Sequence, residues 1–227
     1  MNGFQKEMRS RILGMVSHAT LSAQQPLDDW RRVADAALEH PEVVGAVPFA
    51  ELEGMLSYKG MMQPVQINGV DPQEETKVSI IGQHMVQGRL DDLRPGESGI
   101  VIGEITARRF RLNVGDKLTL IVPELSSAPG GITPRMQRFN VVGVFKVGAE
   151  LDSSLALINI ADASAVLRLP EGQVQSVRIA LKDLFLAPEV SAQIAAELGQ
   201  GYRAEDWTHT QGSLFSAMKM EKTMIGL

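Results

Sequence analysis

The sequence predicts an α+β fold: a split βαβ sandwich with an inserted, mainly β module that carries a long hairpin loop. The sandwich is predicted because a strand–helix–strand pattern occurs over residues 20–49 and again over residues 174–207. The insertion is predicted because the segment between them is rich in short apolar runs separated by glycine turns. At 227 residues, the chain can bury one large core or two smaller ones.

The first unit contains a helix between short strands. Pro26 precedes this helix, and Asp28 and Asp29 lie in its first turn, where the helix dipole favours acids. The apolar positions of the helix are Trp30, Val33, Ala34, Ala37 and Leu38. The strands predicted here are residues 20–22, 43–49, 52–58 and 64–70, with a turn at Lys59-Gly60 between the last two. Val65 and Ile67 alternate with polar neighbours, which indicates that one face of the last strand is wet.

The second unit repeats this order near the C-terminus. A strand is predicted over residues 174–181, followed by a helix with Pro188 in its first turn. The apolar side chains of this helix recur every four residues, at Val190, Ile194 and Leu198. Gly199 is a typical C-cap. Residues 202–207 are predicted as the return strand.

The middle of the chain is predicted to be mainly β. Its strands are expected at residues 100–102, 117–122 and 156–160, and its short helices at residues 104–110 and 161–168. We therefore predict an α+β subdomain of residues 18–84 and 174–210, with residues 85–173 inserted in it. Residues 1–17 and 211–227 show helical spacing without caps, which fits a domain cut from a longer protein and two ordinary terminal helices equally well.

Several functional classes have little support. The net charge of −5 gives no indication of nucleic-acid binding, and no apolar run approaches the roughly 20 residues that span a bilayer. Cysteine is absent, and no phosphate-binding or dinucleotide-binding glycine motif is present. The histidines are scattered: His18, His40, His84 and His209. We predict no metal, no cofactor and no catalytic residue, although an unrecognised serine or carboxylate hydrolase remains an alternative.

The strongest functional candidate is the loop bracketed by Pro123 and Pro134, between the strands that end at Val122 and resume near Phe139. Hairpin loops usually need two to five residues, and this one is predicted to have about a dozen. Apolar side chains near a glycine-rich tip, above a polar base, are typical of a partner-binding loop, and a merely mobile loop is an equally weighted alternative. The predicted partner-binding residues are Pro123, Glu124, Leu125, Ser126, Ser127, Ala128, Pro129, Gly130, Gly131, Ile132, Thr133, Pro134, Arg135, Gln137 and Arg138.

A second, weaker candidate is the basic cluster of Arg108, Arg109 and Arg111. A solvated helix face is the favoured interpretation of these three residues. Docking of an acidic partner is the alternative.

Five stretches together resemble a known family. They are MNGFQKEMRSRILG, VQINGVDPQ, NVGDKLTLIVP, FNVVGVFKVGAELDSSLALINIADA and AMKMEKTMIGL. In this order they resemble the permease subunits of lipoprotein-releasing ABC transporters, the LolC/LolE family, whose periplasmic domain is similar to that of MacB. The resemblance covers essentially the whole chain.

The resemblance implies a periplasmic domain of an inner-membrane protein from a Gram-negative bacterium, with residues 1–17 and 211–227 as membrane-proximal helices. ATP hydrolysis is then expected on a separate cytoplasmic subunit, LolD. Residues 123–134 fall where LolC carries a hook that recruits the carrier LolA, and Gln137-Arg138 fall at a polar pad beside it. The further partners implied are a second permease subunit, LolE-like or another copy, and the lipoprotein substrate.

The resemblance leaves the branch of the family open. The bracketing prolines and the ending KMEKTMIGL favour LolC, whereas LDSSLALINIADA is closer to the lipoprotein-contacting LolE. A single permease that combines both roles is a third possibility. A MacB-type efflux domain that docks an adaptor protein is the alternative outside this branch. The tip Ser127–Gly131 lacks the bulky side chain expected of an insertion arm, so Leu125 and Ile132 are predicted to take that role.

Overall fold

The computed structural model confirms the predicted α+β class and describes residues 3–125, 132–148 and 150–225. The strands are β1 Ala19–Ala23, β2 Val43–Tyr58, β3 Met61–Val70, β4 Met85–Gly88, β5 Gly99–Gly103, β6 Lys117–Leu125, β7 Ile132–Phe145, β8 Leu155–Asn159, β9 Ser176–Leu181 and β10 Tyr202–Asp206. The helices are α1 Gly3–Met15, α2 Trp30–Leu38, α3 Glu104–Phe110, α4 Leu151–Ser154, α5 Ile160–Val166, α6 Ala187–Leu198, α7 Trp207–Thr210 and α8 Gly212–Ile225.

The two strand–helix–strand units form one antiparallel sheet in the order β10-β1-β9-β2. This is the predicted split βαβ arrangement, because β9 lies between the two strands that α2 connects. The helices α2 and α6 bury their apolar sides in one core. This core contains Val33 and Ala37 from α2 and Val190 and Ile194 from α6. Leu38 was predicted in the apolar stripe but is 46% exposed, because α2 ends there.

The remaining strands close into a ring. The strands β2, β3, β8, β5, β7 and β6 pair in that order, and β6 pairs again with β2. Alternate side chains of each strand point into this ring, so its interior is an apolar core. The core contains Leu56 from β2, Ile67 from β3, Ile100 from β5, Leu120 from β6 and Phe139 from β7. A closed ring protects the strands at its seam from unpaired edges.

Strand β2 belongs to both parts and explains two differences from the sequence prediction. The predicted break between residues 49 and 52 is wrong, because β9 pairs with residues 43–49 and β3 takes over at Phe49. At the junction, the backbone N–H of Glu51 is satisfied by a side chain, because it donates a hydrogen bond to Gln175 Oε1 at 2.7 Å. Strand β3 was assigned to the α+β subdomain, yet its Val65 lies in the core of the ring. The division into two subdomains stays a prediction.

The terminal helices pack on the α+β part. Ile80 N donates to Gly14 O of α1 at 3.2 Å, and a Cβ at Gly14 would lie only 2.7 Å from Ile80 Cδ1. At the other end, the ring of Phe215 in α8 meets Trp207 edge-on at 5.2 Å. Among the described residues, no helix is long and apolar enough to cross a membrane.

Candidate partner-binding site

The strands β6 and β7 of the hairpin extend further than the sequence predicted. The two strands stay in register past the prolines, through the pair Pro123–Pro134 to the pair Leu125–Ile132. The predicted loop bounds of 123–134 are therefore wrong, because six of those residues extend the strands. Residues Ser126–Gly131, to which partner binding was also assigned, lie outside the described residues. The side chains of Glu124, Leu125 and Ile132 lie outside the description as well.

The prolines are tolerated because, among the residues that the structure describes, no further strand lies beside the distal hairpin. Strand β2 pairs with β6 only as far as Ile121, and β5 pairs with β7 only from Asn140 onwards. Proline has no N–H, so two prolines that face each other cannot form a hydrogen-bonded pair. Pro123 and Pro134 must therefore form a non-hydrogen-bonded pair, in which the backbone nitrogen of each residue points away from the partner strand. The prolines thus remove donors only from edges that pair with no other strand in the described part of the chain. They also discourage the addition of a foreign strand there.

Successive residues of the ribbon face opposite sides, and this divides the predicted polar base. Gln137 lies opposite Leu120 on the side of the ring interior, and its Nε2 donates to Ser98 Oγ at 3.4 Å. Arg135 is on the same side and donates to the carbonyl of Val166. Arg138 lies on the outer side and is exposed. The predicted pad of Gln137 and Arg138 therefore does not form a single surface.

The outer side of the ribbon is apolar and accessible. Met136 is 69% exposed, and both Pro123 and Pro134 are exposed. Ile121 lies directly opposite Met136 and is half-buried. An apolar ribbon face of this kind, with Arg138 at its base, can insert into or lie against an apolar surface of another protein.

The basic cluster of α3 does not converge on one site. Arg109 donates to Gln63 Oε1 at 2.7 Å, which ties it to a buried amide. Arg108 is 71% exposed and lies 3.7 Å from Glu104, one turn earlier on the same helix. Arg111 ends the helix in the left-handed region, with φ of 55°. This arrangement favours the interpretation as a solvated helix face.

A buried ion pair is the polar feature that the sequence analysis missed. Arg178 in β9 and Glu75 are almost fully buried, with Arg178 Nη1 3.7 Å from Glu75 Oε1. Arg178 Nη2 also donates to the carbonyl of Met15, at the end of α1, and to that of Val78. Its guanidinium carbon lies 5.5 Å from the ring centre of Phe49. One side chain thus joins the end of α1 and the segment after β3 to the central sheet.

Burial sets the pKa values around this pair. It raises the pKa of Glu75 from 4.5 to about 7, although the charge of Arg178 acts in the opposite direction. Burial and the same Arg178 charge lower the pKa of His18 from 6.5 to about 4. His18 Nδ1 accepts a hydrogen bond from Leu181 N at 2.9 Å, which favours the neutral imidazole. Within the described parts of the chain, no three His, Cys, Asp or Glu side chains form a group that could hold a metal ion.

Comparison with known proteins identifies the class of this domain. Residues 1–197 match the family model for the MacB-like periplasmic core domain, and the chain belongs to this family. The solved periplasmic region of MacB from Actinobacillus actinomycetemcomitans is similar in fold, with a TM-score of 0.51 at 12% identity over 92% of this chain and 97% of that one. The extracellular domain of the noncanonic ABC-type transporter YknZ from Gram-positive bacteria has a TM-score of 0.50 at 13% identity, over 82% of this chain and 98% of that one.

Among named relatives, the chain is similar to the lipoprotein-releasing system transmembrane proteins LolC and LolE, which confirms the predicted resemblance. LolC of Xylella fastidiosa strain Temecula1 is 40% identical over 100% of this chain and 55% of the relative. LolC of Neisseria meningitidis serogroup B is 36% identical, over 99% of this chain and 55% of the relative. LolE of Haemophilus influenzae is 26% identical over 99% of this chain and 55% of the relative. The chain spans about half the length of these relatives.

Proposed function

We propose that this chain is the periplasmic domain of an inner-membrane permease that releases lipoproteins in a Gram-negative bacterium, and that its hook docks the carrier LolA. We define the hook as residues Pro123–Pro134. The observation that supports this proposal most strongly is the ribbon formed by β6 and β7, which extends past its neighbouring strands and exposes apolar side chains. The similarity to LolC over the whole chain supports the assignment to lipoprotein release.

The proposed mechanism is mechanical. The hook enters an apolar cavity of LolA, and polar side chains at its base contact the rim of that cavity. Arg138 suits the rim best, because it is exposed and has no ion-pair partner among the described residues. LolA is held in place while the ATPase subunit LolD, on the cytoplasmic side, drives a lipoprotein from the membrane into it. The domain itself binds and positions its partner and is not an enzyme.

Two other assignments have specific support. The MacB fold favours an efflux-type domain that docks an adaptor protein. The similarity to LolE favours a subunit that contacts the lipoprotein, paired with a second permease. Neither role requires a ribbon that docks a soluble carrier, so the hook distinguishes them from the LolC-like role.

The proposal is tested by a calorimetric titration of the domain with LolA from the same organism. A matched variant replaces residues 123–134 by a two-residue turn, which the paired strands before Pro123 and after Pro134 can close. We expect the parent domain to bind and the shortened variant to lose binding while it keeps the same thermal unfolding. Undiminished binding by the shortened variant would refute the docking role of the hook. No binding by the parent domain would favour the LolE-like or MacB-like role.

A further inference from the structure

The apolar side of the ribbon continues across the outer face of the ring. The register places four residues in one row across neighbouring strands: Pro64 of β3 opposite Met55 of β2, Met55 opposite Ile121 of β6, and Ile121 opposite Met136 of β7. With neighbouring strands about 4.8 Å apart, the row is about 14 Å long. All four side chains are apolar.

This row is separate from the core of the ring. The chain neighbours of its members, such as Leu56 beside Met55 and Leu120 beside Ile121, point inwards and are fully buried. The row therefore lies on the opposite, outer face. Pro64 is exposed and Met136 is 69% exposed, whereas Met55 and Ile121 are half-buried. The core thus does not account for these four apolar side chains.

Methionine also extends the apolar surface along β3. Met62 is 54% exposed and lies in the next row, opposite Ser57. On the other side of the row, Pro123 and Pro134 extend the apolar surface along the ribbon. We call the surface formed by Met55, Met62, Pro64, Ile121 and Met136 the outer strip. Methionine side chains adapt well to a partner's surface, since they are unbranched and polarizable.

The charges beside the outer strip indicate the chemistry of its partner. Arg138 lies opposite Thr119 in the row beside Met136, and Lys117 follows at the start of β6. Both cations are exposed, and neither has an ion-pair partner among the described residues. Glu53 and Gln66 lie at the other border. In a chain with a net charge of −5, this cationic border fits an apolar surface flanked by carboxylates.

We infer that the outer strip is a docking surface for the carrier that receives the hook, an inference that rests on the proposed function. Strands β6 and β7 carry both the hook and two of the five strip residues, on one continuous face. A carrier that sits against the outer side of the ribbon meets Ile121 and Met136 first, and Met55, Pro64 and Met62 next. Its contact surface therefore includes an apolar patch with carboxylates placed towards Lys117 and Arg138.

The test uses variants in β2 and β3, outside the hook and its base. We compare Met62→Glu and Met55→Glu with the parent domain in calorimetric titrations with purified LolA. Val86→Glu is the matched control, because Val86 in β4 is 53% exposed and lies outside the strip. We expect each strip variant to weaken binding about tenfold or more, and the control to change it less than about twofold. Unchanged thermal unfolding of Met62→Glu shows that its effect is on binding.

The outcomes separate this inference from the proposed function. If the strip variants bind like the parent domain while the shortened hook does not bind, the strip inference is wrong and the hook assignment stands. If the parent domain does not bind LolA, both are wrong. Sedimentation of the domain alone tests another occupant: a dimer that Met62→Glu converts to a monomer would assign the strip to a second copy of this chain and overturn the inference.

Discussion

Replacing Arg178 by methionine is expected to destabilise the domain by about 3–5 kcal/mol, the typical cost of leaving one partner of a buried ion pair unpaired. The variant removes the cation that opposes the effect of burial on Glu75, so the buried carboxyl must either stay charged without a partner or take up a proton. It also removes the donors to the carbonyls of Met15, at 3.0 Å, and Val78, at 3.3 Å. Methionine also removes the cation–π contact with Phe49, so the loss reports on the charge of Arg178 and on its hydrogen bonds together.

The assay is equilibrium unfolding in urea, followed by tryptophan fluorescence. Trp30 and Trp207 are the two tryptophans of the chain, and both pack in the core of the α+β part, which also contains β9. A double variant, Arg178→Met with Glu75→Leu, is the control, because it removes both charges and leaves an apolar site. We expect the double variant to unfold within about 1–2 kcal/mol of the parent domain.

Two results would refute this reasoning. A loss below about 1 kcal/mol in the single variant would mean that Glu75 is not held as an unpaired buried charge. A double variant as unstable as the single one would mean that the cost comes from the lost bonds to Met15 and Val78, and not from the charge on Glu75.

Further predictions concern pH and close packing. The raised pKa of Glu75 makes the folded state lose stability as pH rises from 4.5 to about 7, whereas the lowered pKa of His18 makes it lose stability as pH falls from 6.5 to about 4. When the pH is lowered from 7 to 4.5, the free energy of unfolding of Glu75→Gln, measured in urea titrations, should fall by about 2–3 kcal/mol relative to that of the parent domain. The free energy of unfolding of His18→Asn should rise by a similar amount relative to the parent domain. Profiles of unfolding free energy against pH that run parallel for the variants and the parent would contradict this. Gly103→Ala should cost about 2 kcal/mol or more in thermal unfolding, because its Cβ would lie 2.1 Å from Asp152 O. Gly212→Ala, with open space around it, should change stability by less than about 0.5 kcal/mol, and equal effects of the two alanines would refute the packing argument.

Local features of the fold could be predicted from the sequence because they depend on neighbouring residues. Helix α2 lies where it was predicted, but Asp29, which was predicted in its first turn, is instead its N-cap and accepts a hydrogen bond from Arg32 N at 3.2 Å. Lys59 and Gly60 both have positive φ, 47° and 82°, which is typical of a two-residue hairpin turn.

The closure of the ring could not be predicted in this way. It depends on pairing between segments far apart in the chain, such as Met55 with Ile121 and Gln66 with Leu155. Nothing in the local pattern of a strand shows which partner lies on each of its edges. For the same reason, Pro123 and Pro134 were taken as strand ends. A proline blocks a strand only where a backbone N–H is needed, and no described strand pairs with the edges of the hairpin at that point.

The place of the hairpin between β6 and β7 was predicted from the sequence, whereas its geometry was not. Its apolar and polar residue types favoured partner binding, yet the separation of Gln137 from Arg138 follows from the register of the ribbon. The outer strip was missed because Met55, Met62 and Ile121 meet only through that register. Arg178 offered one signal, a cation within an otherwise apolar strand, but its partner Glu75 lies about a hundred residues earlier in a polar segment.

The most direct test of the central claim is to locate the tip of the hook in its complex with LolA. The chain contains no cysteine, so Ala128→Cys gives a single site for a benzophenone maleimide, and Val86→Cys gives the control. After irradiation with LolA, mass spectrometry identifies the cross-linked peptides. The account predicts that position 128 cross-links to residues lining the apolar cavity of LolA and that position 86 does not. Cross-links from position 128 no more frequent than those from position 86, or confined to the outer surface of LolA, would contradict it.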